Sequence, residues 1–341
     1  MVMYRLLRDL MFKMDAERSH HIGMTGLKWL EMSGLLGLAV PKIPTVPVHV
    51  MGLRFPNPVG LAAGLDKNAD YLEALTTLGF GFIEVGTVTP RPQPGNAKPR
   101  LFRLPEADAI INRMGFNNLG IDHLLEQVQA AQTDAIIGIN IGKNVDTPVE
   151  KALDDYLIGL EKAYPHADYI TINISSPNTP GLRNLQFGEA LDKLLDALKK
   201  RQTELAEQWR RYVPMAVKVA PDLTLEEVQQ LAECFSRFRI DAVIATNTTL
   251  SREAVAGLPH ADEAGGLSGR PVFAKSTEIV QQFRQALPVE MPIIAAGGIM
   301  SAEDAMQKIE AGAELVQIYS GLIYQGPKLI QDIVKTIQVR R

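Results

Sequence analysis

Eight short runs of β-branched and apolar residues, separated by stretches with helical periodicity, constrain this chain more than any other feature. The runs fall at residues 59–62, 82–85, 136–140, 170–173, 216–219, 242–246, 293–296 and 315–319. Residues 71–78, 124–131, 191–205, 225–238 and 302–309 instead place apolar side chains three and four positions apart, the period of a half-buried helix. Strands alternating with helices imply parallel pairing, because each return to the same end of a sheet needs a crossover. Eight such units close most simply into a (β/α)₈ TIM barrel, a fold that takes a chain of 341 residues as one catalytic domain. The proline-spaced stretch Pro41, Pro44, Pro47 reads as a linker, which divides the chain into a helical segment, 1–40, and the barrel, 41–341.

Composition excludes several function classes. A net charge of −4 calls for no nucleic acid. The single cysteine, Cys234, forbids an internal disulfide, points to a reducing cytoplasm and reads as packing within a helix. The six histidines show no metal-ligand spacing, so no metal is expected. No apolar stretch is long enough to span a bilayer, and the start Met-Val-Met-Tyr-Arg lacks the order of a signal peptide. Any membrane contact is therefore expected to be peripheral.

Barrel enzymes place their chemistry on loops leaving the C-terminal strand ends. Here those positions are polar throughout. The first run leads into Ala63-Gly64-Leu65-Asp66-Lys67 and the second into Gly86-Thr87; the third and fourth end at Asn140 and Asn173. The fifth carries Lys218, the sixth ends in Thr246-Asn247-Thr248, the seventh in Gly297-Gly298 and the eighth in Tyr319-Ser320-Gly321. Buried polar groups without partners are costly, so a polar ligand is expected to satisfy them. Ion pairing at the barrel mouth is the alternative for Lys67 and Lys218. The glycines after runs seven and eight, with Ser301 capping the next helix and N–H groups facing an anion, fit a phosphate. Together with Lys218 and the asparagines they suggest a phosphorylated planar cofactor such as FMN.

Two loops add to this. The loop 175–183 is rich in hydroxyl and amide groups and stiffened by Pro177 and Pro180, as expected of a catalytic lid. The long insertion between runs two and three contains Pro90 to Gly95 and Asn112-Arg113-Met114-Gly115-Phe116-Asn117-Asn118. Turn formation accounts for Gln93 to Gly95; local sequence leaves Asn112, Asn117 and Asn118 open between turn and binding roles. Two other motifs carry little. Gly138 to Lys143 is one residue short of a Walker loop and reads as a strand end, and Gly266-Leu267-Ser268-Gly269 falls short of a hydrolase elbow.

Over essentially its full length the chain resembles the class 2, quinone-dependent dihydroorotate dehydrogenases. The resemblance rests on Gly64-Leu65-Asp66-Lys67, Gly86-Thr87-Val88-Thr89-Pro90, Asn112-Arg113-Met114-Gly115-Phe116, Asn173-Ile174-Ser175-Ser176-Pro177-Asn178, Gly265-Gly266-Leu267-Ser268-Gly269 and Gln317-Ile318-Tyr319-Ser320-Gly321, in that order. It implies FMN contacts at Ala62, Ala63, Gly64, Lys67, Thr87, Asn140, Asn173, Lys218, Thr246, Gly269, Gly298, Tyr319 and Ser320. It places the orotate site at Lys67, Asn112, Arg113, Met114, Gly115, Phe116, Asn173, Asn178, Asn247 and Thr248. The position at which class 1 relatives carry a cysteine base is Ser176.

Dihydroorotate oxidation removes a proton beside the ring carbonyl and a hydride from the neighbouring carbon. Serine is a weak base, so Ser176 needs pre-organisation and a relay, for which Thr179 is the candidate. Amides suit the pyrimidine because they both donate and accept. Lys218 would stabilise negative charge on a reduced flavin.

In the N-terminal segment Met3, Leu6, Leu7, Leu10, Met11 and Met14 form one helical stripe, and Met24, Leu27 and Leu30 a second, with Trp29 nearby. The plain expectation is that both helices pack on the barrel. The resemblance implies instead a peripheral module on the cytoplasmic face of the cell membrane that admits a quinone past His20, Arg103 and Tyr319. Two rival classes are a flavin-free lyase or isomerase, which would be colourless, and a non-catalytic membrane scaffold, whose FMN dihydroorotate would not bleach.

Overall fold

A computed structural model describes residues 2–340, without the side chains of Val2 and Met3, so Met3 of the first stripe lies outside the described side chains. Each of the eight runs forms a strand: β1 (Val59–Leu61), β2 (Phe82–Val88), β3 (Ile136–Ile141), β4 (Tyr169–Asn173), β5 (Met215–Val219), β6 (Ala242–Ala245), β7 (Ile293–Ala296) and β8 (Leu315–Ile318). They pair in parallel in chain order, and β8 returns to β1 to close the barrel. Strands covered on both faces read as continuous apolar runs rather than alternating ones, and seven of these eight are buried at every position, β3 being open only at Ile136.

Helices wrap the barrel where the period is 3.6, for example Gly188–Trp209, Leu225–Arg237 and Ala302–Glu310. Thr224 starts the second of these with a capping box: its hydroxyl accepts from the Glu227 N–H while the Glu227 carboxylate accepts from the Thr224 N–H. A two-stranded antiparallel hairpin, Val48–Val50 with Leu53–Phe55, sends Phe55 against Phe82, ring centroids 5.2 Å apart, among the residues that fill the N-terminal end of the barrel.

The insertion after β2 is not a loop alone. Leu101–Leu104 and Ala109–Asn112 form a hairpin, which Gly266–Gly269 extends to a three-stranded antiparallel sheet. This sheet has its own apolar cluster of Phe102, Leu104, Ile111 and Leu267.

The N-terminal segment forms three helices rather than two: α1 (Val2–Phe12), α2 (Ala16–Met32) and α3 (Leu35–Ala39). The helices do pack on the barrel, Met24 of α2 joining its core and Phe12 of α1 meeting Tyr324 edge-on at 5.4 Å, but the leucines of the first stripe are not the contact. Leu6, Leu7 and Leu10 are exposed, and polar groups add to the hold that Phe12 gives α1. Tyr4 Oη donates to the Ile323 carbonyl at 2.8 Å, and Arg8 Nη1 to the Tyr324 carbonyl at 2.7 Å. On α2, Met24 is buried, Leu27 half-buried and Leu30 exposed. Residues 41–47 carry no helix or strand.

Candidate active site

The C-terminal ends of the strands open into a cavity of about 1050 Å³, part of it continuous with solvent. Of the expected cofactor residues, Ala62, Ala63, Gly64, Lys67, Thr87, Asn173, Lys218, Thr246, Gly269, Gly298, Tyr319 and Ser320 line it. So do Asn112, Met114, Gly115, Phe116, Ser176, Asn178, Asn247 and Thr248. Segments far apart in sequence therefore meet because each terminates a different strand of one barrel.

Two expected contact residues lie elsewhere. Asn140 sits one layer below: its Oδ1 accepts from Thr87 Oγ1 at 2.6 Å and its Nδ2 donates to Glu84 at 2.8 Å. Arg113 turns away, pairing with Glu263 at 2.7 Å and stacking 4.6 Å over the Phe102 ring. Thr179 is buried but does not line the cavity.

Below the cavity Glu84 is fully buried and accepts four hydrogen bonds, from Asn140 Nδ2 and Gln317 Nε2 at 2.8 Å, Tyr169 Oη at 3.0 Å and Thr171 Oγ1 at 3.1 Å. That coordination is what a buried carboxylate requires. Above it stands Lys218, whose ammonium is held below its ordinary range by burial and partly restored by Glu84. Gln317 Oε1 is buried and has no hydrogen-bond partner among the described residues. Glu84 did not stand out in the sequence, and Gln317 entered only as part of a motif without a role, because an isolated polar residue inside an apolar run gives only a faint sign of a layered interior.

The glycine loops shape the end of the cavity where the sequence leads one to expect a phosphate. Gly298 has φ of 77°, and a Cβ there would come within 2.5 Å of Phe273 Cα, so only glycine lets the chain pass. Ser301 does cap Ala302–Glu310, its Oγ accepting from the Asp304 N–H at 3.1 Å. The Asp304 carboxylate in turn takes the Met300 N–H at 2.8 Å and sets a negative charge at the start of that helix. The helix Ser320–Gln325 has no side-chain cap, and its first residues line the cavity. Its uncapped N–H groups are therefore available to an anion in the cavity.

At the other end the amides are fixed in two hydrogen-bonded groups. Asn173 Nδ2 donates to Thr87 Oγ1 at 2.8 Å, Asn247 Nδ2 to Ser175 Oγ at 3.0 Å, and Asn178 Nδ2 to Asn112 Oδ1 at 3.2 Å. Ser176 is buried, and its Oγ accepts from the Asn178 N–H at 3.3 Å. Lys67 donates to the Gly64 carbonyl at 2.7 Å; burial, with the charge of Arg100 added, holds its ammonium down to about 8. Neither Lys67 nor Lys218 forms an ion pair among the described residues, in contrast to the barrel-mouth alternative.

Toward the N-terminal helices, Arg103 donates to the Met11 carbonyl at 3.2 Å and to that of Met14, and stacks 4.6 Å over Phe12. Burial, followed by the charge of Lys67, lowers the His20 imidazole to about 4, so it is neutral at pH 7. Burial pushes Tyr319 up to about 12. His20 contacts the backbone at Leu65 and Tyr319 lies against Gly64, so both meet the turn after β1.

Fold and cavity define a barrel enzyme with its polar groups gathered at the C-terminal mouth of the strands. The sequence profile of the dihydroorotate dehydrogenase family matches residues 45–340. The chain is 59% identical over 339 residues to a dihydroorotate dehydrogenase (quinone) of Dechloromonas aromatica, covering 98% of each, and 59% identical to that of Azotobacter vinelandii over 99% of this chain and 98% of the relative. The crystal structure of the Eimeria tenella enzyme in complex with ferulenol superposes with a TM-score of 0.86 at 38% identity, covering 95% of this chain and 90% of the other. The chain belongs to the dihydroorotate dehydrogenase family, a family of flavoprotein oxidoreductases.

Proposed function

We propose that this chain oxidises (S)-dihydroorotate to orotate in pyrimidine synthesis, with FMN at the barrel mouth as hydride acceptor and a membrane quinone as final acceptor. Membership in the family supports the reaction. One observation in the structure carries the cofactor: the buried Lys218 ammonium and the orphaned Gln317 Oε1 share a cavity whose far end is a glycine cradle with uncapped helical N–H groups. Buried polar groups of that kind call for a polar partner. Lys218, Gln317, Thr246 and Asn173 would hold the ring system, and Gly269, Gly298, Ser320 and Gly321 the phosphate. FMN supplies a two-electron acceptor for the hydride that leaves the substrate.

The rest falls to the chain's own residues. Ser176 Oγ takes the proton beside the ring carbonyl, held in place by Asn178. Lys67 and the amides of Asn112, Asn173, Asn178 and Asn247 hold the carboxylate, carbonyls and N–H groups of the pyrimidine. Arg113 serves by packing the hairpin rather than by touching substrate. Residues 1–40 form the quinone-access module, with His20, Arg103 and Tyr319 along its path, and seat the enzyme on the cytoplasmic face of the membrane.

Anaerobic addition of dihydroorotate to the purified holoenzyme tests this reading. Bleaching of the flavin absorbance is expected; a yellow protein that stays yellow would overturn it.

A further inference from the structure

The N-terminal helices touch more than the surface of the barrel. Asp15 caps α2, its carboxylate accepting from the Arg18 N–H at 2.8 Å, and this places Glu17 in the first turn, facing the barrel. There Glu17 meets Arg100 in a two-pronged pair, Nε to Oε2 at 3.1 Å and Nη2 to Oε1 at 2.7 Å. The Arg100 side chain is 7% exposed and that of Glu17 20%. The remaining nitrogen of the guanidinium, Nη1, donates to the carbonyls of Pro94 and Asn96 at 2.6 and 2.8 Å.

Residues 94–96 lie against the loop assigned to the substrate. Asn96 Nδ2 donates to the Arg113 carbonyl at 2.9 Å and reaches the Asn178 carbonyl at 3.4 Å, while the Asn96 N–H donates to the Met114 carbonyl at 3.0 Å. The fit is close: a Cβ on Gly95 would stand 2.3 Å from the Met114 carbonyl oxygen. One unbroken series of charge-assisted, side-chain amide and backbone hydrogen bonds thus runs from α2 through Arg100 and Asn96 to both loops flanking the pyrimidine position.

We infer that Glu17 is a positioning residue for the substrate site: by fixing Arg100 it holds the 94–96 segment, and through it the loops of Asn112 to Phe116 and of Asn178, in the conformation that binds orotate. The N-terminal segment is then part of the dihydroorotate half of the reaction as well as the quinone half. This rests on the assignment of those loops to the pyrimidine. The physical ground is that a guanidinium this enclosed cannot lose one carboxylate without seeking other partners. The two carbonyls it holds move with it.

The test is orotate affinity of the full-length holoenzyme, measured by calorimetry for the wild type, Glu17→Gln, Glu17→Asp and Lys28→Met. Glu17→Gln keeps the shape and removes the charge, and weakens orotate by about tenfold, within the usual range of coupling between sites. Glu17→Asp keeps the charge and recovers part of the loss. Lys28→Met removes another tie between α2 and the barrel, from Lys28 Nζ to the Asp70 carbonyl at 2.9 Å, and leaves affinity unchanged. Glu17→Gln affinity within about twofold of wild type would overturn the inference, as would an equal loss in Lys28→Met, which would mean general loosening. A wild-type holoenzyme that binds no orotate would instead overturn the substrate assignment itself.

Discussion

Arg183 Nε donates to the Ser175 carbonyl at 3.0 Å, so its guanidinium grips the peptide that leads into the proposed base, Ser176. The same group donates through Nη2 to the Thr248 carbonyl at 3.0 Å and pairs through Nη1 with Asp222 at 2.9 Å. Three strand-end loops, after β4, β5 and β6, are thereby joined by one planar fork. Lysine cannot reproduce it, because an ammonium is a point donor without fixed geometry. Arg183→Lys is expected to slow flavin reduction by dihydroorotate by about ten- to a hundredfold, as small misplacements of a reacting group do. A reductive half-reaction at the wild-type rate would show that the loop holds its shape without the fork.

Ser176→Ala tests the base itself. Its Oγ accepts one hydrogen bond, from the Asn178 N–H, so its removal leaves the loop's other ties in place and FMN should remain bound. General-base assistance typically contributes on the order of 10²–10⁴-fold, and stopped-flow reduction should slow by that much. A loss below about tenfold would take Ser176 out of the base role.

The barrel and most of its mouth were legible because the signals are local: β-branched runs set the strands, and the polar residue that ends each run marks the loop above it. Packing was less so. The hairpin Leu101–Leu104 and Ala109–Asn112 lay hidden in an insertion whose prolines and asparagines speak of turns, although its pairing with Gly266–Gly269 depends on a segment more than 150 residues away. Likewise nothing local tells that Asn140 points below the cavity while Asn173 lines it, since both end apolar runs in the same way. The outward face of α1 escaped the plain expectation because Tyr4 and Arg8, which hold the helix down, are residues normally assigned to a solvated face.

Lys218→Ala is expected to lower the flavin midpoint potential. A cation near the ring favours the reduced, more negative form, and its loss raises the energy of that form alone. Orotate affinity should change far less than the potential. Redox titration decides the point: a potential equal to wild type would leave Lys218 a structural counterpart of Glu84.

Lys67 gives a pH signature. Burial and the charge of Arg100 hold its ammonium at about 8, so it loses its proton well below the usual lysine range. The anionic orotate binds the protonated form, and affinity is full below that value and falls as pH rises through it. Binding also raises the lysine's proton affinity, so proton uptake should accompany orotate binding near pH 8. Calorimetry in buffers of different ionisation enthalpy measures this. In Lys67→Met the uptake and the pH dependence should both vanish; their persistence would assign them to another group.

The last prediction concerns the outer face of the N-terminal helices. Leu6 is 67% exposed, Leu10 61%, Trp29 67% and Leu38 85%, while no helix among the described residues is long and apolar enough to cross a membrane. Large apolar side chains so exposed on three adjoining helices are a surface built to meet something apolar, and a peripheral seat on lipid is the reading that accompanies quinone access. Deleting residues 1–40 would be a poor test, because it also removes Glu17 from Arg100. Replacing Leu6 and Leu38 together by Glu leaves Tyr4, Arg8 and Glu17 in place. Each leucine contributes about 1.5–3 kcal/mol when buried in an apolar phase, so vesicle association should weaken by on the order of a hundredfold or more. Reoxidation by a long-tailed quinone in vesicles should fall with it, while reduction by dihydroorotate and turnover with a soluble acceptor stay at the wild-type rate. If the double variant still binds vesicles and reduces the long-tailed quinone normally, the exposed leucines face something other than lipid and the peripheral seat is wrong.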